Sequence, residues 1–361
     1  MSTLINIQIK WVTDYLIKCH TGPTELYGQT GSGHQDHSYW GRPEEYPFAR
    51  QVHKVNASNP GSDLAAETAA ALAAASIVYS NAGNAEESQR CLQHAIEIYN
   101  FADQYRGTYT SGIGDASSFY NSWSGYQDEL IWGAAWLAKA TGDASYLSKA
   151  ENYYDSYNGA AYEPYSWDNK KLGAQIVLYE VSGKWKYKNT IETNVNAMRS
   201  NGPYTPGGMI YLQEWGPARH AANAGFIAAQ AAVNGIKANG YTTFVREQVD
   251  YLLGSNPQNQ CFIVGLGSNC PTRPHHRSSS CPASGSCDGY QNRNADNPMV
   301  RPSLYLIYET VNFQILYGAL VGGPNQNDQY NDDRGDYIAN EVATDYNAIW
   351  QGCLAYLVQS S

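Results

Sequence analysis

The chain has 361 residues, of which 13% are aromatic, including 30 tyrosines, and only 16% are charged, well below the roughly one quarter usual in soluble domains. A net charge of -10 and a pI near 5.2 argue against nucleic acid or an anionic membrane surface as a partner, while an uncharged polymer stays allowed. No apolar run reaches the ~18–20 residues that a membrane helix needs, and the length admits one large domain or two ordinary ones.

The chain opens with MSTLINIQIKWVTDYLIK. Its apolar residues recur at helical spacing, Lys10 and Asp14 interrupt it, and a small-residue cleavage site is absent, so it reads as a helix and not as a secretory signal. A polar loop follows, GHQDHSYWGRPEE, with His34, Asp36, His37 and Trp40. Asn56-Ala57-Ser58 is a weak glycosylation pattern.

From residue 64 the chain repeats one grammar. Alanine-rich runs predict helices over Leu64–Val78, Leu130–Leu137 and Ala221–Val233, each apolar on most of its circumference and therefore covered on two sides. Each ends at a glycine, Gly83, Gly142 or Gly240, and an amphipathic helix begins beyond it. A glycine past a helix end supplies the left-handed conformation that stops the helix. Inner buried helices paired with outer half-exposed ones describe repeated αα-hairpins. The clearest strand signal is the apolar run QCFIVGLG, Gln260–Gly267. No Pro/Ser/Gly linker divides the chain, so it reads as one mainly α domain over 1–361 with long polar loops.

Those loops carry the candidate chemistry. In DASSFYNSWSGYQDEL, Ser124 and Gly125 precede Asp128 and Glu129, which are calcium-type oxygen ligands or simply acidic residues at a helix N-terminus. In CPTRPHHRSSSCP, His275 and His276 adjoin Arg277. A cation beside that arginine is disfavoured, so hydrogen bonds to a polar substrate fit better than a metal. Seven scattered cysteines form no C-x-x-C pair, which argues against structural zinc; Cys281 and Cys287 could close a small loop, and the odd count leaves a free thiol. Near the C-terminus stands YNDDRGDYIANEVATDYNA. There Glu341 is expected to start an apolar-periodic helix through Ile349 to Leu357, with Tyr337 and Tyr346 nearby. A carboxyl desolvated among tyrosines is expected to have a raised pKa, which Asp332 and Asp333 would reinforce, and so to hold the proton that a glycosidic oxygen needs.

At these residues the chain closely resembles the family 9 glycoside hydrolases, endoglucanases that act on β-1,4-glucan, and its animal members in particular. The resemblance runs from about Trp11 to Leu357 and rests on YWGRPEE, NPGSDLAAETAAALAAASIVY, FYNSWSGYQDELIWGAAWL, YTPGGMIYLQEWGPARHAANAGFIA, PTRPHHRSSSCP, LYGALVGGPNQNDQYNDDRGDY and NEVATDYNA. It implies an all-α (α/α)6 barrel, in line with the repeated hairpin. It implies that Glu341 is the catalytic acid, with Asp332 and His275 counted in the catalytic set, that Tyr330, Asp332, Tyr337 and Asn347 hold the other fixed places of that motif, and that His275 and Arg277 contact substrate. His37, Trp40, Phe119, Tyr120, Trp215 and Tyr346 match cleft-lining positions, where aromatic faces bind sugar rings. Ser124, Gly125, Asp128, Glu129 and Asp168 match a calcium site, so the resemblance favours a structural Ca2+ there, and no cofactor is needed for the chemistry. A secreted, monomeric protein is expected.

Two departures stand out. Family 9 hydrolysis proceeds with inversion and needs a second carboxyl as base, which the family carries in a D-A-G-D stretch. This sequence has none and starts inside the domain, so the expectation is an N-terminally truncated chain, its barrel short of its first helices, with little or no cellulose cleavage. A non-catalytic glucan-binding homologue and an inactive fragment are the alternatives. MVRPSLYLIYETVNF, residues 299–313, reads as an insertion, with a gene-model artefact as its expected origin. Cys261 replaces the family's usual Ser, Thr or Val, a change read as conservative in size.

Overall fold

The computed structural model describes residues 3–281, 287 and 316–360; the expected insertion over 299–313 lies outside them. The chain divides into two compact units, Met1–Asp36 with Phe48–Ile191, and His37–Pro47 with Glu192–Ser361.

In the first unit, helix α1 (Thr3–Cys19) leads into a three-stranded antiparallel sheet, β1 (His20–Gly22), β2 (Glu25–Thr30) and β3 (Val52–Asn56). The sheet escapes a reading of the sequence because its inward face is small. Leu26 faces Val55 across the ladder and both are fully buried, while the outward pair is the Glu25–Lys54 ion pair at 2.5 Å. Helix α2 (Gly33–His37) is a single turn.

Three αα-hairpins follow. Helix α3 (Ser62–Asn81) pairs with α4 (Ala85–Gln104) across Gly83, at φ 78°. The Asn84 side chain caps α4 by accepting from Glu87 N. Beyond the one-turn α5 (Tyr109–Gly112), helix α6 (Gln127–Thr141) pairs with α7 (Ala144–Ser156) across Gly142, at φ 70°. Helix α8 (Lys171–Ser182) is joined through Gly183, at φ 64°, to α9 (Trp185–Asn201), whose last residues belong to the second unit. The inner helices present Ala65, Ala69, Leu72, Leu130, Ala134 and Leu178 to one core. Close approach needs a residue without Cβ at Gly133: an added methyl would lie 2.7 Å from the Tyr99 ring and 3.1 Å from the Ala66 carbonyl.

The second unit contains α10 (Pro217–Val233), α11 (Ala238–Leu253), the short α12 (Arg277–Ser280) and α13 (Tyr337–Asn340), and α14 (Thr344–Gln359). Helices α10 and α11 are a fourth hairpin, but its turn is Gly235, at φ 73°. Gly240 lies within the first turn of α11, where the helix tolerates glycine because its leading N–H groups are unpaired in any case. The expected strand over Gln260–Gly267 is reduced to a bridge between Ile263 and Leu320. Phe262, Ile263 and Val264 are buried, and Phe262 and Val264 hydrogen-bond to Gly318, Ala319 and Val321, but Gly265 at φ 77° ends the pairing. Cys261 pairs with Cys270, and Cys281 with Cys287 as anticipated. Cys261 is therefore half of a covalent link, more than a conservative replacement of Ser. Three thiols stay free, Cys19, Cys91 and Cys353.

Candidate active site

Glu341 stands on an extended connector between two helices, at φ -60° and ψ 144°, and does not begin a helix as its sequence context suggests. Asp336 closes α13 on one side by accepting from Ala339 N. Beyond it the connector pairs on both edges: Glu341 bridges His275 in parallel and Val342 bridges Val321, with His275 N donating to the Asn340 carbonyl at 2.7 Å. Backbone pairing thus consumes the residues that could have extended a helix, and it sets Glu341 beside His275.

The carboxyl group is half-buried and precisely held on one oxygen only. Trp215 Nε1 donates to Oε2 at 2.9 Å and Tyr346 OH donates to the same atom at 3.0 Å; Oε1 receives neither. Tyr346 is buried, and Arg219 lies 4.7 Å from its ring centroid while pairing with Asp345 at 2.5 Å. Burial, then the negative charge of Glu341, pushes the Tyr346 phenol far above its ordinary range, so it remains a hydrogen-bond donor at any working pH. Trp215 is 46% exposed and tilts against Tyr337 at 5.2 Å, and Tyr337 in turn meets His275 at 5.9 Å.

His275 Nδ1 faces the Arg334 carbonyl at 2.7 Å, which requires a proton on that nitrogen and removes it from any metal set. The Trp40 ring stands edge-on to His275 at 5.0 Å, and its Nε1 donates to Ser280 Oγ at 2.9 Å. Arg277 donates to the Tyr39 carbonyl at 3.1 Å. Asp332 does not touch Glu341. It accepts from Thr272 N, Thr272 Oγ1 and Arg273 N at 2.7–3.0 Å, so it holds up the loop that carries His275. Tyr330 donates to the Asn340 side chain, and Asn347 accepts from Leu320 N and donates to the Gly318 carbonyl. His37 is exposed at the end of α2.

The structure therefore gathers Glu341, His275, Arg277, Trp40, Trp215 and Tyr346 in the second unit. The Arg219–Asp345 pair beneath Tyr346 and the Ser280 partner of Trp40 escape sequence reading. The signal for the first is an arginine and a histidine inside the alanine-rich run GPARHAANAG. Phe119 and Tyr120 belong to the first unit, where Phe119 meets His34 at 5.1 Å and Tyr120 meets Trp167 at 5.0 Å.

The calcium candidates are also in the first unit. Asp128 accepts from Lys170 N at 2.7 Å and from Ser124 Oγ at 3.3 Å. Asp168 accepts from Trp123 N and Ser124 N at 2.9 and 3.0 Å. Gly125, at φ 87°, gives its carbonyl to Ser122. Glu129 is buried and its Oε2 has no partner. Burial raises the pKa of Asp128 to about 6 and carries that of Glu129 well above the carboxylate range, with Asp128 adding to the latter. Buried carboxyls with an orphaned oxygen are chemically suited to a hard divalent cation. The geometry is only part-formed, because the Asp168 carboxylate is turned onto backbone N–H groups and the three carboxyls do not converge tightly enough to count as a metal-holding group among the described residues.

The Glu341 carboxyl is thus aimed by an indole and a phenol, with the rings of Trp215, Tyr337 and Tyr346 beside it. Comparison with known proteins makes the class specific. Residues 2–354 match the Glycosyl hydrolase family 9 description. The chain is 43% identical over 366 residues to Endoglucanase A of Bacillus pumilus, covering 98% of this chain and 52% of that protein. It is 44% identical over 359 residues to an endoglucanase of Dictyostelium discoideum, covering 98% and 47%. The chain thus spans about half the length of these curated relatives. The solved endoglucanase of the termite Nasutitermes takasagoensis superposes with a TM-score of 0.88 at 48% identity, over 97% of this chain and 77% of that one. The cellulase Cel9M of C. cellulolyticum, solved with cellobiose, gives 0.83 at 35% identity, over 98% and 77%. The chain belongs to glycosyl hydrolase family 9, and its fold class is the all-α (α/α)6 class of these structures.

Proposed function

We infer that the chain carries the acid half of an endo-β-1,4-glucanase site, with Glu341 as the proton donor to the leaving glycosidic oxygen. The observation that carries this reading is the one-sided anchoring of its carboxyl: Trp215 and Tyr346 both bind Oε2, leaving Oε1 to bear and deliver the proton. The same two donors stabilise the carboxylate once the proton has gone, which is where charge develops. The exposed face of Trp215, with Tyr337 and Trp40, offers platforms for glucose rings. His275 and Arg277 hydrogen-bond the hydroxyls, and Asp332 acts by positioning their loop. His37 is a further candidate sugar contact. The relatives' names and the cellobiose bound to Cel9M support a glucan as the ligand.

Inversion needs a base on the opposite face of the sugar, and no residue of this chain is assigned to it. That motivates a second reading, a glucan-binding protein without turnover. Affinity electrophoresis in carboxymethylcellulose beside a reducing-sugar assay separates the two, since binding without sugar release is the second reading's signature. In the first reading, joining an N-terminal segment that contains Asp-Ala-Gly-Asp yields cellulose cleavage, and Glu341→Gln in that protein abolishes it. Near-normal turnover by the Gln variant would sink the assignment.

A calcium ion at Ser124, Gly125, Asp128, Glu129 and Asp168 would neutralise buried negative charge and serve structure only. The two disulfides suit an oxidising compartment outside the cytosol. Among the described residues no helix is long and apolar enough to cross a membrane.

A further inference from the structure

Away from Glu341, one group of side chains has metal-ligand chemistry that the glucanase reading does not use. His20, the first residue of β1, His94 and Glu97 each offer a ligand atom, and these atoms all lie within 4.8 Å of one another. It is the one such His/Cys/Asp/Glu group among the described residues. His94 and Glu97 are three apart on α4 and so project from one helix face. The three residues come from two separate segments of the first unit.

The bland account is a buried histidine pair. His20 Nδ1 and His94 Nδ1 are 2.7 Å apart with the rings edge-on, a satisfactory hydrogen bond if one nitrogen is protonated. That account leaves two observations unexplained. His20 is 9% exposed, and its second nitrogen, Nε2, is buried without a hydrogen-bond partner, so the pair does not close its own hydrogen bonding. A carboxylate also sits beside two neighbouring imidazoles, the His2Glu donor set of open zinc sites.

We propose that His20, His94 and Glu97 bind a divalent transition metal of the zinc class, which ties the end of α1 and the start of the sheet to helix α4. Two imidazoles select such a metal over calcium or magnesium, which take oxygen ligands. The rings must part slightly on binding: two nitrogens on a tetrahedral zinc stand about 3.3 Å from each other, given Zn–N bonds of about 2.0–2.1 Å. His94 and Glu97 are only half-buried, so side-chain rotation can open the pair. Water fills the remaining position, and the role is structural because no reacting group is nearby.

The test uses the full chain, stripped of metal by a chelator and returned to buffer containing Ca2+, and needs no catalytic turnover. Calorimetric titration with Zn2+ is expected to give one bound equivalent and a raised Tm. Co2+ in place of Zn2+ is expected to give the visible absorption of a low-coordinate nitrogen/oxygen site. His94→Gln and Glu97→Gln, both partly exposed positions checked for folding by circular dichroism, are each expected to weaken Zn2+ binding by ~100-fold or more, since even supporting groups around a metal are worth ~10- to 100-fold. No uptake by the wild-type chain at ~100 μM Zn2+, a Kd corresponding to only about -5.5 kcal/mol, would overturn the proposal. So would binding that persists undiminished in both folded variants, because the metal would then sit elsewhere.

Discussion

Asp128→Asn probes the buried acidic cluster without changing its shape. Asp128 is 1% exposed at the start of α6, and burial lifts its pKa from 3.8 to about 6. A difference of roughly two units at about 1.36 kcal/mol per unit is ~3 kcal/mol. The folded value lies above the unfolded one, so the native state binds this proton more tightly. The associated stability is complete below about pH 4, is lost as pH rises towards 6, and is gone at pH 8. Asparagine is neutral throughout and can still accept from Lys170 N. It also relieves Glu129, whose pKa Asp128 raises, which adds in the same direction. With chelator present, urea unfolding followed by tryptophan fluorescence is therefore expected to show the variant gaining ~3 kcal/mol on wild type between pH 4 and pH 8. With Ca2+ at pH 8 the wild type is expected to recover that deficit while the variant responds little, because bound cation stabilises by mass action only where its ligands remain. A variant-minus-wild-type difference that is the same at both pH values refutes the electrostatic reasoning, whatever calcium does.

Trp215→Phe and Tyr346→Phe each remove one donor to Glu341 Oε2 and keep a ring. In a cellulose-cleaving form of the protein each should lower kcat by ~10- to 150-fold, the worth of a hydrogen bond to a charged group at ~1.5–3 kcal/mol, and unchanged kcat in both would show that the carboxyl is not held this way. Gly133→Ala should lower stability by ~1–3 kcal/mol through overpacking against Tyr99. Gly114→Ala, where an added Cβ meets nothing within 4 Å, should stay within ~0.5 kcal/mol; calorimetric Tm values compare the two, and equal effects would contradict the close approach of α6.

The sequence alone determined the repeated helical hairpins, because their signals are local. Alanine-rich runs are helical wherever they are buried, and Gly83 and Gly142 terminate helices through a backbone conformation that other residues seldom adopt. It also determined the family, through long motifs, of which PTRPHHRSSSCP supplies His275 and NEVATDYNA supplies Glu341. Tertiary structure decided the rest, wherever two candidates were locally equivalent or the partner was distant in the chain. Gly235 rather than Gly240 makes the last hairpin turn, since either glycine could serve and only the packing of α10 on α11 chooses. Glu341 leaves the helix because its backbone is claimed by His275, 66 residues earlier. Comparable distance hid Asp332's hold on Thr272 and the meeting of His20 with His94: hydrogen bonds and metal ligands are fixed by proximity in space, and periodicity along a chain carries no record of it.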